Sequence, residues 1–168
     1  MNWYKTYKLS EMKIYPYNEE SYDSPLEEAG IDQYDAANSV EEAFRASEIR
    51  PDRDKQLTHV VTINGKVVGG IYSKLEQDHS MERDDIWRYS FDVAIHPDYR
   101  AAEAKGLMDR TIFKLIDTGL AEWRAYKAEH GKVYCWIWAV NPKIANILER
   151  VYGFERENIS GQSILTKW

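Results

Sequence analysis

Residues 56 to 75 read QLTHVVTINGKVVGGIYSKL, two β-rich runs on either side of Asn64-Gly65. Asn-Gly is the favoured pair for a two-residue turn between antiparallel strands, because both turn positions need positive φ. The flanking runs carry the β-branched residues that suit a pleated sheet. The stretch therefore predicts a β-hairpin with strands at 57 to 63 and 66 to 75.

A third strand and a long helix are predicted after the hairpin. The run from Ile86 to Ile95 is typical of a strand, and His96-Pro97 ends it because proline cannot donate to a sheet ladder. From about Ala102 to Glu129, apolar residues recur at helical spacing, which predicts one helix. Gly119 is a point where this helix can bend.

The C-terminal part predicts a buried strand, a short helix and a closing strand. Residues 133 to 140, VYCWIWAV, are apolar on both faces, which favours a central strand covered by helices on each side. Asn141-Pro142 is predicted to open a helix that reaches Tyr152, and Gly153 ends it. Residues 163 to 167 form the predicted last strand.

The first third of the chain carries two helix-start signals. Residues 24 to 27 (SPLE) and 39 to 42 (SVEE) each place a serine three residues before a glutamate, the pattern of a capping box. Two short helices are expected, the second running to about Ile49 before Pro51 interrupts it. Residues 8 to 17 are a weakly patterned candidate for a first strand. The order of elements predicts an α/β sheet of mixed direction.

Size and composition predict one soluble domain. A chain of 168 residues suits a single domain, 1 to 168, with an acidic helical part at 1 to 55 and the sheet-rich remainder at 56 to 168. The single cysteine, Cys135, excludes an internal disulfide, and the four histidines lack metal-ligand spacing. The start of the chain lacks an apolar signal core, and no apolar run is long enough to span a membrane. We therefore expect a cytoplasmic protein with no metal and no membrane partner.

Charge is distributed unevenly along the chain. The net charge is −6, and residues 1 to 55 hold 7 Lys and Arg against 13 Asp and Glu, with 15 of each beyond. Such a surface repels phosphate backbones and favours a basic partner or substrate. Without a basic stripe, the six tryptophans and twelve tyrosines are expected in the core or at an interface. Nucleic-acid binding is not predicted.

Three stretches, read together, resemble the GNAT superfamily of N-acetyltransferases over residues 56 to 168. They are the hairpin, the run FDVAIHPDYRAAEAKGLM at 91 to 108, and the run VYCWIWAVNPKIANILERVYGF at 133 to 154. The resemblance implies a GNAT-like α/β fold, with a mixed, mainly antiparallel sheet flanked by helices on both faces. It also implies transfer of an acetyl group from acetyl-CoA to the amine of a small molecule or a protein.

The resemblance also implies a set of cofactor-binding residues. An extended pantetheine arm would pair with backbone at the end of the third strand, as a peptide adds to a sheet edge, and the pyrophosphate would lie at the following helix N-terminus. Asn141 matches an asparagine that contacts the cofactor arm, and capping of the helix at Pro142 explains this residue equally well. The implied binding residues are Val93, Ala94, Ile95, Arg100, Ala101, Lys105, Gly106 and Asn141.

The phosphate turn departs from the family pattern. Arg100 matches its first position, but Glu103 and Lys105 fill the two positions where the family has small residues. Glycine lets the backbone approach a phosphate, whereas one like charge about 4 Å away costs roughly 1 to 4 kcal/mol. Lys105 offsets part of this repulsion, and Gly106 serves if the turn shifts by one residue. Alternatively, these charges simply begin an ordinary helix.

The catalytic positions also differ from the family. Many members place a tyrosine acid four residues after the alanine that matches Ala145, to protonate the leaving thiolate, and that position is Glu149 here. Tyr152, three residues further on, is the other candidate. The base of histone-type members matches Tyr89, and strand alternation sends the nearest carboxylate, Asp92, to the opposite face.

Two functions remain open from the sequence. The first is a working acyltransferase in which Tyr152 or Glu149 handles protons. The second is a GNAT-fold protein without catalysis, used as a binding or structural module through self-association or a protein partner, which the departures at Glu103, Lys105 and Glu149 favour.

Overall fold

The structure is a computed structural model that describes residues 12–18, 24–81, 85–100, 107–139 and 141–168. The strands are β1 (Met12–Pro16), β2 (Gln56–Ile63), β3 (Lys66–Gln77), β4 (Ile86–Ile95), β5 (Lys132–Ala139), β6 (Glu155–Ile159) and β7 (Gln162–Lys167). The helices are α1 (Pro25–Glu28), α2 (Gln33–Ala46), α3 (Pro97–Arg100), α4 (Leu107–His130) and α5 (Pro142–Arg150), with one short 3₁₀ turn at His79–Met81.

The strands form one seven-stranded sheet in the order β1-β2-β3-β4-β5-β7-β6. β4 and β5 pair in parallel, whereas β1–β2, β5–β7 and β6–β7 pair antiparallel. The predicted α/β fold with a mixed, mainly antiparallel sheet and flanking helices is confirmed.

The hairpin lies where the sequence predicts it. Asn64 and Gly65 have φ values of 53° and 80°, the pair of positive values that a two-residue turn between β2 and β3 requires. The third strand and the helix after Asn141 are confirmed as well. In each case a short-range signal, a turn, a proline or a cap, sets the boundary.

Of the two helix starts predicted in the first third of the chain, the first is confirmed and the second is wrong. Ser24 caps α1, and its Oγ accepts a hydrogen bond from the Glu27 amide at 3.2 Å. The second predicted start is wrong, because α2 begins at Gln33 behind the N-cap Asp32, and Ser39 lies inside the helix. Asp32 Oδ1 accepts a hydrogen bond from the Asp35 amide at 3.0 Å, so the helix is already capped about two turns before Ser39.

One strand is absent from the sequence prediction. β6 reads ERENI, in which a single apolar residue gives no alternating pattern, yet it pairs along its whole length with β7. Ser160 and Gly161 supply the positive φ values, 52° and 79°, of the connecting turn. The pairing partner, rather than any local hydrophobic pattern, defines this strand.

The chain divides into two compact units, Met1–Tyr72 with Asp92–Thr118, and Ser73–Phe91 with Gly119–Trp168. In the first unit, α1 and α2 contribute Leu26, Ala36, Val40 and Phe44 to a buried cluster with Val60 and Ala94. In the second unit, α4 lies so close to β4 that a Cβ on Gly119 would meet the Phe91 ring at 2.6 Å. Gly119 therefore permits close packing of α4 on the sheet. That the whole chain forms one domain stays a prediction.

Candidate functional site

The end of β4, which carries the residues implied to bind pantetheine, is held firmly within the first unit. The His96 amide donates to the Val68 carbonyl on β3 at 2.7 Å, and Ser47 Oγ donates to the Ile95 carbonyl at 3.2 Å. A Cβ on Gly69 would lie 2.1 Å from the Ala94 carbonyl oxygen, so only glycine allows the two strands to approach this closely here.

The pairing of β4 with β5 stops before β4 ends. The ladder runs from Ile86↔Lys132 to Tyr89↔Cys135, whereas β4 continues to Ile95. His96, the residue directly after β4, donates its amide to the Val68 carbonyl on β3. The β4 residues beyond the ladder can pair with an extended chain in the way that the resemblance implies.

The phosphate turn is the part of the implied site that the structure describes least. α3 ends at Arg100, which places the backbone of this residue directly after the β4 end. The predictions for Ala101, Lys105 and Gly106, together with Glu103, lie outside the described residues.

Asn141 is the N-cap of α5, as the capping interpretation expects. Its φ is −89°, and its Oδ1 accepts a hydrogen bond from the Lys143 amide at 2.9 Å. The side chain is exposed at the start of the helix, and its oxygen is already used in capping. A role in binding the cofactor stays a prediction.

The two candidate acids lie in different surroundings. Glu149 is exposed on α5, whereas Tyr152 is half-buried and lies beyond the end of that helix. Gly153 has a φ of 73°, and the Phe154 amide donates to the Leu148 carbonyl at 3.0 Å, which closes the helix end. Lys167 Nζ also donates to the Tyr152 carbonyl. The backbone of Tyr152 is therefore held in place beyond the helix that carries Glu149.

Tyr89, the position that matches the family's carboxylate base, is fully buried beside a carboxyl group from α4. Ser73 Oγ lies 3.4 Å from Glu122 Oε1, and the fully buried Tyr89 interacts electrostatically with the same carboxyl. Burial is the main cause that raises the pKa of Glu122, and burial likewise raises the pKa of Tyr89. No local pattern indicates this cluster, because in the sequence Glu122 is one more charge on an amphipathic helix.

Replacing Glu122 with Gln is expected to remove a pH-dependent cost to stability. Since the folded pKa is raised, the favourable contribution of the protonated carboxyl is complete below the unfolded pKa of about 4.3 and is lost as pH rises through the folded pKa. The stability of Glu122→Gln relative to the unmodified chain should therefore increase with pH, measured by urea unfolding at several pH values. Glu42→Gln, the same change at an exposed position of α2, serves as the control. If the difference in the free energy of unfolding between Glu122→Gln and the unmodified chain did not change with pH, the raised pKa of Glu122 would be contradicted.

Asp92, the nearest other carboxylate on β4, forms an ion pair. Its Oδ2 lies 2.7 Å from Lys55 Nζ, and the two side chains are only 16% and 6% exposed. This ion pair with a buried ammonium gives Asp92 a structural role. The pairing partner lies far away in sequence, in the connection before β2, and no local signal indicates it.

Two features of the described residues concern metal and membrane binding, the grouping of metal-ligand side chains and the length and apolarity of the helices. No cluster of three or more His, Cys, Asp or Glu is arranged there to hold a metal ion. None of the helices described combines the length and apolarity needed to cross a membrane. Cys135 is buried in β5.

Comparison with known proteins supports the fold. No family model matches the chain, and no curated protein matches it. Among solved structures, it is similar to Arabidopsis thaliana Naa50 in complex with the bisubstrate analogue CoA-Ac-MVNAL, with 12% identity, a TM-score of 0.50, and coverage of 94% of this chain and 99% of that chain. This likeness shows that the chain has the GNAT fold, as its sequence motifs predict.

Two further structures are similar at lower scores. One is yncA from Salmonella typhimurium with its cofactor acetyl-CoA, at 16% identity and a TM-score of 0.46, covering 94% of this chain and 93% of that chain. The other is an acetyltransferase from Streptococcus agalactiae, at 15% identity and a TM-score of 0.47, covering 94% and 98%.

Proposed function

We propose that this protein is an acetyl-CoA-dependent N-acetyltransferase that transfers an acetyl group to the amine of a small molecule or a protein. The observation that carries the proposal is the end of the β4–β5 ladder at Tyr89↔Cys135, beyond which β4 runs on to Ile95. The GNAT fold and the complexes of its structural neighbours with CoA compounds support the same reading.

The backbone at the end of β4 would hold the pantetheine arm of the cofactor. Val93 lies beyond the β4–β5 ladder, where its N–H and C=O would pair with the arm, and the strand end is anchored to β3 by the His96 and Gly69 contacts. Because these groups are positioned before binding, they lose little entropy when the arm pairs with them. Ala94 and Ile95 complete the segment, and Asn141 lies at the start of α5 as a further contact.

The turn from Arg100 to Gly106 would hold the pyrophosphate. Arg100, Ala101, Lys105 and Gly106 would supply two cations and two small residues, and Glu103 would oppose the phosphate charge. Acetyl-CoA, when bound, supplies the activated acetyl thioester. We assign the protonation of the leaving thiolate to Tyr152, whose backbone is fixed, in preference to the solvent-exposed Glu149.

Isothermal titration with acetyl-CoA and with CoA tests this proposal. We expect saturable binding, and Arg100→Glu should weaken it by about tenfold to a thousandfold, because one like charge near a phosphate costs roughly 1 to 4 kcal/mol. Arg124→Glu makes the same charge change at an exposed position of α4 and should leave the affinity within about twofold.

A chain that binds neither compound at millimolar concentration would contradict the proposal. That result would mean that Glu103 and Lys105 close the phosphate turn, and it would favour the alternative of a GNAT-fold binding module without catalysis. Binding that Arg100→Glu leaves unchanged would instead contradict the placement of the pyrophosphate at this turn.

A further inference from the structure

The second unit has one sheet face that combines exposed tryptophan with exposed carboxylates. Strand register places Trp136 beside Thr166 and Glu155, and it places Trp138 beside Ile164 and Glu157. Directly paired residues point to the same face of a sheet, and residues two apart on one strand do so too. These residues therefore share a face of β5, β7 and β6. We call the surface formed by Trp136, Trp138, Glu155 and Glu157 the tryptophan face.

The opposite face of the same strands is covered by a helix. Arg156, which alternates with the two glutamates, donates from Nη1 to Asn146 Oδ1 on α5 at 2.7 Å. Its register partner Leu165 is fully buried. By contrast, Trp138 is 46% exposed, and Glu155 and Glu157 are exposed.

The tryptophan face already binds one cation of this chain. The Arg88 guanidinium lies over the Trp136 ring, with Cζ 4.9 Å from the ring centroid, and its Nε donates to Glu76 Oε1 at 2.8 Å. Indole and carboxylate thus hold a guanidinium together, which is the chemistry of a cation–π site. Trp138 lies next to Trp136, with ring centroids 6.0 Å apart and planes at 84°, and extends the aromatic surface toward Glu157.

We propose that the tryptophan face docks a lysine- and arginine-rich segment of a partner protein. Cationic side chains would lie against Trp138 and pair with Glu155 and Glu157, in the arrangement that Arg88 shows with Trp136 and Glu76. The exposed carboxylates Glu155 and Glu157 favour such a partner through local attraction to its cations. A second copy of this chain fits poorly, because a twofold contact would pair the tryptophan face with itself, and its four defining residues include two carboxylates and no cation. Identification of this partner as the amine acceptor rests on the proposed function, whereas the docking itself does not.

The docking is tested with a synthetic peptide rich in lysine and arginine, titrated without acetyl-CoA and followed by tryptophan fluorescence and calorimetry. A peptide of equal length with glutamine at every basic position serves as the reference ligand. We expect the basic peptide alone to bind, and added salt to weaken the binding.

Variants of the face locate the binding. Trp138→Leu, which keeps apolar bulk, should weaken binding by about two- to fivefold, and Trp138→Phe should restore part of it. The double change Glu155→Gln and Glu157→Gln should weaken binding and reduce its salt dependence. Glu129→Gln, exposed on α4, should change neither. Urea unfolding checks that each variant is folded.

Three results would overturn the proposal. They are absence of binding at low salt, equal affinity in the unmodified chain and the face variants, and sedimentation of the unmodified chain as a dimer that Trp138→Glu converts to a monomer. The last result would make the face a contact between copies. The peptide titration contains no acetyl-CoA, so the two proposals are tested separately. Absence of peptide binding would not contradict the proposed acetyltransferase function, and absence of acetyl-CoA binding would not contradict the proposed docking.

Discussion

Replacing Lys55 with Met is expected to lower the free energy of unfolding by about 3 to 5 kcal/mol. Lys55 Nζ lies 2.7 Å from Asp92 Oδ2, with 6% and 16% of the side chains exposed. Methionine fills a similar volume but removes the ammonium that pairs with this largely buried carboxylate, so the cost of burying that charge loses the compensation that Lys55 gives. Domains of this size are stable by only about 5 to 15 kcal/mol, so urea unfolding should show a large shift of the midpoint.

A second ion pair supplies the matched control. Lys132 Nζ lies 3.2 Å from Asp85 Oδ2, but these side chains are 51% and 55% exposed. Lys132→Met should therefore cost no more than about 1 kcal/mol. Adding Asp92→Leu to Lys55→Met removes the buried charge and should recover much of the loss. Equal effects of the two lysine variants would show that the Lys55–Asp92 pair is not sequestered from water.

The second large effect is expected from Tyr152→Phe. If the phenol protonates the leaving thiolate as proposed, its removal should lower kcat by about a hundredfold to ten-thousandfold, with little change in the KM for acetyl-CoA. The backbone restraints from Lys167 and the closed α5 end do not involve the phenol hydroxyl, so the fold should persist. Single-turnover release of CoA, followed across pH with a screened amine acceptor, measures the effect.

Two variants separate the chemical role of Tyr152 from its packing. Glu149→Gln should leave kcat within about threefold, because the Glu149 carboxyl is exposed to solvent on α5 and is not the proposed acid. Tyr34→Phe makes the same atomic change at a position that is 75% exposed and should have no effect. A kcat that falls with Glu149→Gln but not with Tyr152→Phe would transfer the acid role to Glu149.

The sequence by itself determined the elements whose signals are local. The hairpin at Asn64-Gly65, the capped start of α1 and the capped start of α5 depend on φ preference and on hydrogen bonds that span three residues or fewer. The three GNAT-like stretches fall on the hairpin, on the strand before the phosphate turn and on the β5–α5 segment, all inside the GNAT fold that the Naa50 likeness shows. The start of α2 was missed because an apparent capping box at Ser39 competed with the cap at Asp32.

Only the tertiary structure decided which charges are buried and which aromatic residues share a surface. Lys55 pairs with Asp92, and Glu122 interacts with Tyr89, although more than thirty residues of sequence separate the members of each pair and no local pattern predicts either contact. β6 has a single apolar residue and becomes a strand because β7 supplies its hydrogen-bond partners, and this same pairing aligns Glu157 with Trp138 on one face. The physical reason is that turns and caps are satisfied within a few residues, whereas burial and register depend on which distant strands and helices come together.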